Sequence, residues 1–377
     1  MLLNRARQFV APYYRNWGGW RTRRKLLVIE SDDWGSIRMP SRAVYERCLR
    51  AGYPVDQIAY ERYDAPLSND DLEYLFDLLA SFRDRTGAHP VITANCLVAN
   101  PDFDKIEACG FQEYHYELIP ETFKKYPRHD RSFALWQEGL ARGVFRPQFH
   151  GREHLNVFQF MKGLQNNDPD VVFGFRNRMP GCIPKGPRIQ GNRYVEATRF
   201  QSATEKEYVL RSLIEGLDLF YQLFGYRSET LIPTNYVWSS DFDGPVLKSG
   251  VVGFQGSRVM REQQPDGSHR LVRRRLGDKN SFGQRYLTRN ATFEPSLFRL
   301  KIDTPVRHCL REISAAFQMG KPAIITTHRL NYSGTVDVAN RDRTLFLLKQ
   351  LLAAVVRKWP DIEFRSSDQL LRIIDSA

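Results

Sequence analysis

Seven short β-branched or apolar runs are spaced along this chain: KLLVIE at 25–30, PVITA at 90–94, VFRPQF at 144–149, TLIP at 230–233, VVGF at 251–254, AIITT at 323–327 and IEF at 362–364. Apolar residues recur at helical spacing between several of them. One such set is Leu72, Leu75, Phe76, Leu79 and Phe82 after the capping candidates Ser68 and Asn69. Others are Val209, Leu213, Leu217, Phe220 and Phe224, and Leu345, Leu348, Leu351, Leu352 and Val355. Strand alternating with helix implies an α/β protein with a parallel sheet, closed or open. At 377 residues the chain can bury the core of one elaborated barrel or of two ordinary domains. The lack of repeats, low-complexity stretches or a long linker favours one continuous domain. Two stretches, near 176–204 and 255–300, break the rhythm and read as insertions that would cover or extend a site.

The cysteines, Cys48, Cys96, Cys109, Cys182 and Cys309, are odd in number and contain no CxxC pair, which argues against a disulfide framework or a zinc ribbon. With no 18-residue apolar stretch and no signal-peptide core, the expected location is cytoplasmic.

The formal charge of +12 is concentrated in two places. Residues 1–25 carry seven Arg/Lys and no acid, and residues 258–289 carry nine against three acids, leaving the rest of the chain near neutral. The first segment mixes Arg5, Arg7, Arg15, Arg21, Arg23, Arg24 and Lys25 with Phe9, Tyr13, Tyr14, Trp17 and Trp20. Two readings stand side by side: peripheral contact of residues 1–25 with the cytoplasmic face of an anionic membrane, or a basic arm (1–24) packing its aromatics on the barrel. The second segment reads as a hairpin around Pro265-Asp266-Gly267-Ser268, with Arg270, Arg273, Arg274 and Arg275 on its return strand. It is either a surface for an anionic glycan or phosphate-bearing substrate or a solvated face. No helix-turn-helix, zinc-finger or RNA-binding signature is present, so nucleic acid is not an expected partner.

Chemistry concentrates after the strand-like runs. Asp32 and Asp33 end the first, where adjacent carboxylates repel unless a cation or a proton intervenes. As a lone pair they would more often cap a turn. His150 and His154, four apart after the third run, would fall on one side of a helical turn and reach one ion. His328 ends AIITTH, and alone it could be a buried histidine bonded to backbone. In an α/β barrel, however, residues just past the strand ends converge on one face, and the rule gathers Asp32, Asp33, His150, His154 and His328 there with Thr234, Asn235, Tyr236 and Trp238.

These residues resemble the polysaccharide deacetylase (NodB-homology, carbohydrate esterase family 4-like) superfamily, as a divergent branch. That family combines an Asp-Asp motif, a His-x-x-x-His motif and a late strand ending in Leu-x-His, and the order agrees from about residue 25 to 370. The resemblance implies a distorted (β/α) barrel of about seven strands over 25–377. It also implies a hydrolase of carbon–nitrogen bonds other than peptide bonds, which removes an N-acyl group, acetyl above all, from an amino sugar in surface-polysaccharide or glycolipid metabolism. Nucleotide- and lipid-linked sugars are among the candidate substrates. By analogy Asp33, His150 and His154 hold one divalent ion, zinc by default with cobalt, nickel, manganese or iron compatible. Asp32 is then the base and His328 the acid, while Trp34, Asn235, Tyr236, Arg152 and Arg329 are candidates for substrate or oxyanion contacts. Trp34 intervenes where the family has Asp-Asp-Gly, Thr326 stands where it has leucine, and the arginine that orients the catalytic Asp has no counterpart near Ile232-Pro233. Arg329, Arg289 and Arg152 are the alternatives for that role. Two rival readings remain. One is a catalytically silent carbohydrate-binding barrel. The other is an inverzincin-type metalloprotease, in which His150-Gly-Arg-Glu153-His154 would lie on a helix with Glu153 as base.

Overall fold

A computed structural model describes residues 10–181, 185, 193–264, 267–298 and 303–376; Cys182, Phe9 and the hairpin-turn residues Pro265 and Asp266 lie outside them. All seven runs contain strand, several shifted toward their C-terminal ends: β1 (Lys25–Trp34), β2 (Ile92–Leu97), β3 (Phe145–Gly151), β4 (Thr230–Leu231) and β5 (Gly253–Gly256) come first. A hairpin of β6 (Val259–Gln263) and β7 (His269–Arg273) follows, then β8 (Arg285–Thr288), β9 (Ala291–Thr292), β10 (Ala323–His328) and β11 (Ile362–Phe364). The main sheet runs β8-β5-β4-β3-β2-β1-β10-β9, with β11 beside the first residues of β1, and its pairs are parallel. The fold is a distorted (β/α) barrel.

Closure comes from one kinked stretch. Only Arg289 and Asn290 separate β8, which pairs with β5, from β9, which pairs with β10. The Arg289 N–H donates to the Gly256 carbonyl at 2.9 Å and the Asn290 N–H to that of Ile324 at 3.1 Å. One segment therefore serves both edges of the curled sheet, which would otherwise expose unpaired ladder groups. Of the 255–300 stretch expected to be an insertion, the second half thus belongs to the barrel wall.

Strand alternation sorts the side chains of β1. Leu27 and Ile29 join the core between sheet and helices, while Leu26 and Val28 pack inward with Leu370, Leu371 and Ile374. Those last three belong to the C-terminal helix Ser367–Asp375, which covers the interior at that end. Each such fully buried aliphatic side chain stabilises by about 1.5–3 kcal/mol over exposure. Two residues further along β1 on the inward face stand Glu30 and then Asp32, both buried. The interior thus passes from apolar to charged toward the strand ends. The helices read from sequence are present as α1 (Asn69–Ala80), α2 (Ala203–Phe224) and α3 (Val338–Lys358). Ser68 caps α1 in a reciprocal box with Asp71.

Candidate metal and acid–base site

In a regular strand Asp32 and Asp33 would point to opposite faces. The pairing of β1 with β2 shifts register between Ser31 and Trp34, and Asp33 sits there with φ 72°. This bulge re-aims the Asp33 carboxylate. Gly35 follows at φ 91°, where a Cβ would lie 2.6 Å from the Leu97 carbonyl oxygen, so a side chain there would collide with backbone.

Asp33 Oδ1 lies 3.4 Å from Nε2 of both His150 and His154. The donor atoms of all three residues fall within 4.8 Å of one another. Ligand bonds of about 2.1 Å at tetrahedral angles would set neighbouring donors about 3.4 Å apart. The hydrogen bonding fits as well. His150 Nδ1 lies 2.8 Å from the Ile232 carbonyl, which can only accept, so a neutral ring presents the Nε2 lone pair to the cluster. Burial pushes His154 down to about 3 despite the charge of Asp33, so its imidazole is neutral. His154 Nδ1 has no hydrogen-bond partner among the described residues. Burial opposes ionisation of Asp33, but the His150 ring, with His154, His328 and Arg38, holds it well below the usual carboxylate range. Two imidazoles and one carboxylate are a donor set for a divalent transition ion.

The histidine pair reaches this arrangement without a helix. His150 belongs to β3, Gly151 turns the chain at φ 132°, and His154 follows in the loop. That removes the helical context of a protease motif. Glu153 is taken up by a forked pair with Arg152, at 2.6 and 2.9 Å, and both are buried.

Asp32 stands beside the cluster. Arg289 donates to it twice, at 2.7 and 2.6 Å, and its Nε donates to Glu30 at 2.6 Å. Asn95 donates to Asp32 Oδ1 at 2.7 Å. Burial would raise the carboxyl, but Arg289, with His328 and His150, brings it to about 2. Of the three arginines left open by the sequence, Arg289 is the one that meets Asp32. Arg329 is buried against Asp64 at 2.7 Å, and Arg152 pairs with Glu153 and Glu215. Both are thus committed to structural ion pairs instead of to substrate contacts.

His328 faces Asp32, its Nε2 3.7 Å from Asp32 Oδ2. Its Nδ1 donates to Glu294 at 2.5 Å, and Glu294 in turn accepts from Asn331 at 2.5 Å. The Tyr60 hydroxyl is 3.2 Å from Nε2. Burial lowers the imidazolium's pKa, but Glu294, Asp32 and Asp33 outweigh it and raise it to about 9.

The remaining expected residues separate. Trp34 is a correction: its ring is buried in the core, 4.8 Å from that of Phe145 and 5.9 Å from that of Trp136, with Nε1 donating to Ser31. It supports β1 from behind and is not a sugar platform. Tyr236 approaches the site through its hydroxyl, 3.3 Å from Arg289, while its N–H donates to Pro233 at 3.0 Å. Of the two backbone donors considered for an oxyanion, that leaves Asn235, which like Tyr236 has positive φ. A narrow cleft opens beside His154, lined also by Ile37, Arg38, Glu61, Asn100 and Tyr194.

No family model and no curated protein matches the sequence. Among solved structures the chain is similar to a probable polysaccharide deacetylase from Pseudomonas aeruginosa PAO1, with 9% identity over 93% of this chain and 90% of that one at a TM-score of 0.46. It is similar also to a putative polysaccharide deacetylase from Mycobacterium smegmatis, with 10% identity over 95% and 93% at 0.43. A third is 4-alpha-glucanotransferase from Thermococcus litoralis, with 11% identity over 93% of this chain at 0.43. The chain spans 40% of that enzyme's length. Similarities of this size leave the functional reading to the geometry of the site.

Proposed function

We propose that the protein is a metal-dependent hydrolase that removes an N-acyl group, acetyl in the first instance, from an amino sugar. Asp33, His150 and His154 would hold the ion, zinc being favoured by the donor set, with cobalt, nickel, manganese or iron accommodated by the same ligands. The observation that carries the reading is the opposite tuning of two groups that face each other at 3.7 Å beside that cluster: Asp32 at about 2 and His328 at about 9. At neutral pH one is a carboxylate and the other an imidazolium, a separation that assigns base and acid.

When bound, the ion would act as a Lewis acid toward the acyl oxygen and acidify the attacking water. That assistance matters, because a carboxylate held at about 2 is a weak base and needs an acidified partner. Asp32, its orientation fixed by Arg289 and Asn95, accepts the water proton as oxygen adds to the amide carbon. His328, fixed by Glu294, delivers its Nε2 proton to the departing nitrogen as the C–N bond breaks. Carboxylic acid and free amine result. The Asn235 N–H is the backbone donor we assign to the developing oxyanion.

The test is release of acetate from a panel of acetamido sugars, free, nucleotide-linked and lipid-linked, by wild-type protein loaded with zinc. Wild-type turnover that Asp32→Asn abolishes supports the reading. Zinc binding without acetate release from any of them would favour a silent carbohydrate-binding barrel.

A further inference from the structure

The two cation-rich segments, distant in sequence, meet in the folded chain. The Arg258 guanidinium lies 4.9 Å from the centre of the Tyr14 ring and donates to the Tyr14 and Arg15 carbonyls. The Trp20 N–H donates to Leu276 at 2.7 Å, and Gly18 is so close to Arg275 that a Cβ there would approach its side chain to 2.9 Å. The arm is also fixed to the barrel. Buried Lys321 donates to the carbonyls of Gly18, Gly19 and Trp20, and Asn290, at the kink that closes the sheet, donates to Asn16 at 2.8 Å.

Trp20 packs against the cluster of Leu26, Val28 and Leu276, but other large side chains of the arm face solvent. Trp17 is 63% exposed, and Val10, Tyr13 and Tyr14 are exposed with it. On the hairpin, Val259 pairs with Arg273, and Leu271 lies two residues away on the same face, 67% exposed. Arg21, Arg23, Arg273, Arg275 and Lys279 are exposed and form no ion pair with a described residue. Solvated cations need no apolar neighbours. A soluble polyanion would use the cations and stack on the aromatics but has no use for Val10, Val259 and Leu271. Arginine mixed with Trp, Tyr and aliphatic side chains is the composition that settles at the headgroup level of an anionic bilayer. No helix among the described residues is long and apolar enough to span one.

We propose that residues 10–24 and the two hairpin strands β6 and β7 together form a docking surface for a bilayer containing anionic lipids. The proposal is independent of the hydrolase reading, since lipid binding is measured without metal or substrate. Full-length protein is sedimented with vesicles of phosphatidylcholine alone and of phosphatidylcholine with phosphatidylglycerol. It is expected to pellet with the second and stay in solution with the first. Trp17→Ser/Leu271→Ser and Arg21→Gln/Arg273→Gln should each weaken partitioning, the second by roughly fivefold for each cation removed. All four side chains are exposed, so circular dichroism should show both variants folded as wild type. Equal pelleting with both vesicles, or none with either, overturns the proposal. So does vesicle binding that Trp17→Ser/Leu271→Ser leaves unchanged while heparin binds strongly, an outcome that assigns the surface to soluble polyanions.

Discussion

Asp32 and His328 face each other across one site, are both buried, and each has an ion-pair partner supplied by the same short segment, Arg289 for one and Glu294 for the other. Burial acts alike on both, against the charged form, and in both the partner wins. Because the partners have opposite signs, the result is a fixed anion on one side and a fixed cation on the other. The contrast teaches that six residues of chain, Arg289 to Glu294, placed where the sheet closes, set both protonation states. The Asp33 cluster differs from both: His154 is held neutral and the donor atoms of the three side chains converge, an arrangement for holding an ion and not for moving a proton.

The largest expected effect breaks the distinction between Asp32 and Asp33. Asp33→Ala should lose the metal and with it all turnover, while Glu153→Gln, whose side chain faces Arg152, should keep a full complement. Metal per chain on protein purified without a metal-binding tag is the measurement. An Asp33→Ala protein that stays fully loaded would sink the ligand assignment. Next comes Asp32→Asn, which should retain the ion and lower kcat by roughly 10²–10⁴-fold, the usual contribution of a positioned general base. Full activity in that variant would remove Asp32 from the mechanism.

The parts of this site differ in how far they were legible beforehand. Strand–helix alternation revealed the barrel because its central strands are long enough to carry an apolar run, and the Asp-Asp and His-x-x-x-His spacings named the cluster by residue type. Arg289 was one of three equal candidates and Glu294 was not singled out at all. Both follow strands of four and two residues, Arg285–Thr288 and Ala291–Thr292, too short for any periodicity, within a stretch that reads as an insertion. Their partners lie 257 and 34 residues away. Trp34 was misread for a related reason. Its neighbours Asp32 and Asp33 face the site, but the bulge that turns Asp33 leaves the next side chain on the helix-packed face, and no sequence pattern announces a bulge.

Glu294→Gln sharpens the acid side of the comparison with a smaller effect. Without that carboxylate, burial acts on His328 with less opposition, so its pKa falls and the alkaline limb of the pH–rate profile should move to lower pH. With a loss of two units, turnover near pH 8 would drop roughly tenfold while turnover near pH 6 stays closer to wild type. An unmoved alkaline limb would mean that His328 is not the group that limits it.

The smallest effect concerns stability, and it separates the two sides without any substrate. In the metal-free protein His328 titrates near 9, against an ordinary value of 6.5. A raised folded-state pKa means that the native state binds the proton more tightly. The associated stabilisation is therefore fully present below 6.5 and is lost as pH rises through 9, in all roughly 3 kcal/mol at most. Asp32 has the reverse sign. Its pKa is lowered from 3.8 to about 2, so its contribution is present above 3.8 and is lost only as pH falls through 2. Between pH 6.5 and 9 the urea midpoint of the metal-free protein should thus fall through His328 and be indifferent to Asp32. Glu294→Gln should flatten the fall, whereas Asp32→Asn, which removes a weaker and more distant anion, should reduce it only in part. A midpoint that is level across that range in wild type would show that Glu294 does not hold the proton on His328, and the acid side of the site would then have to be reassigned.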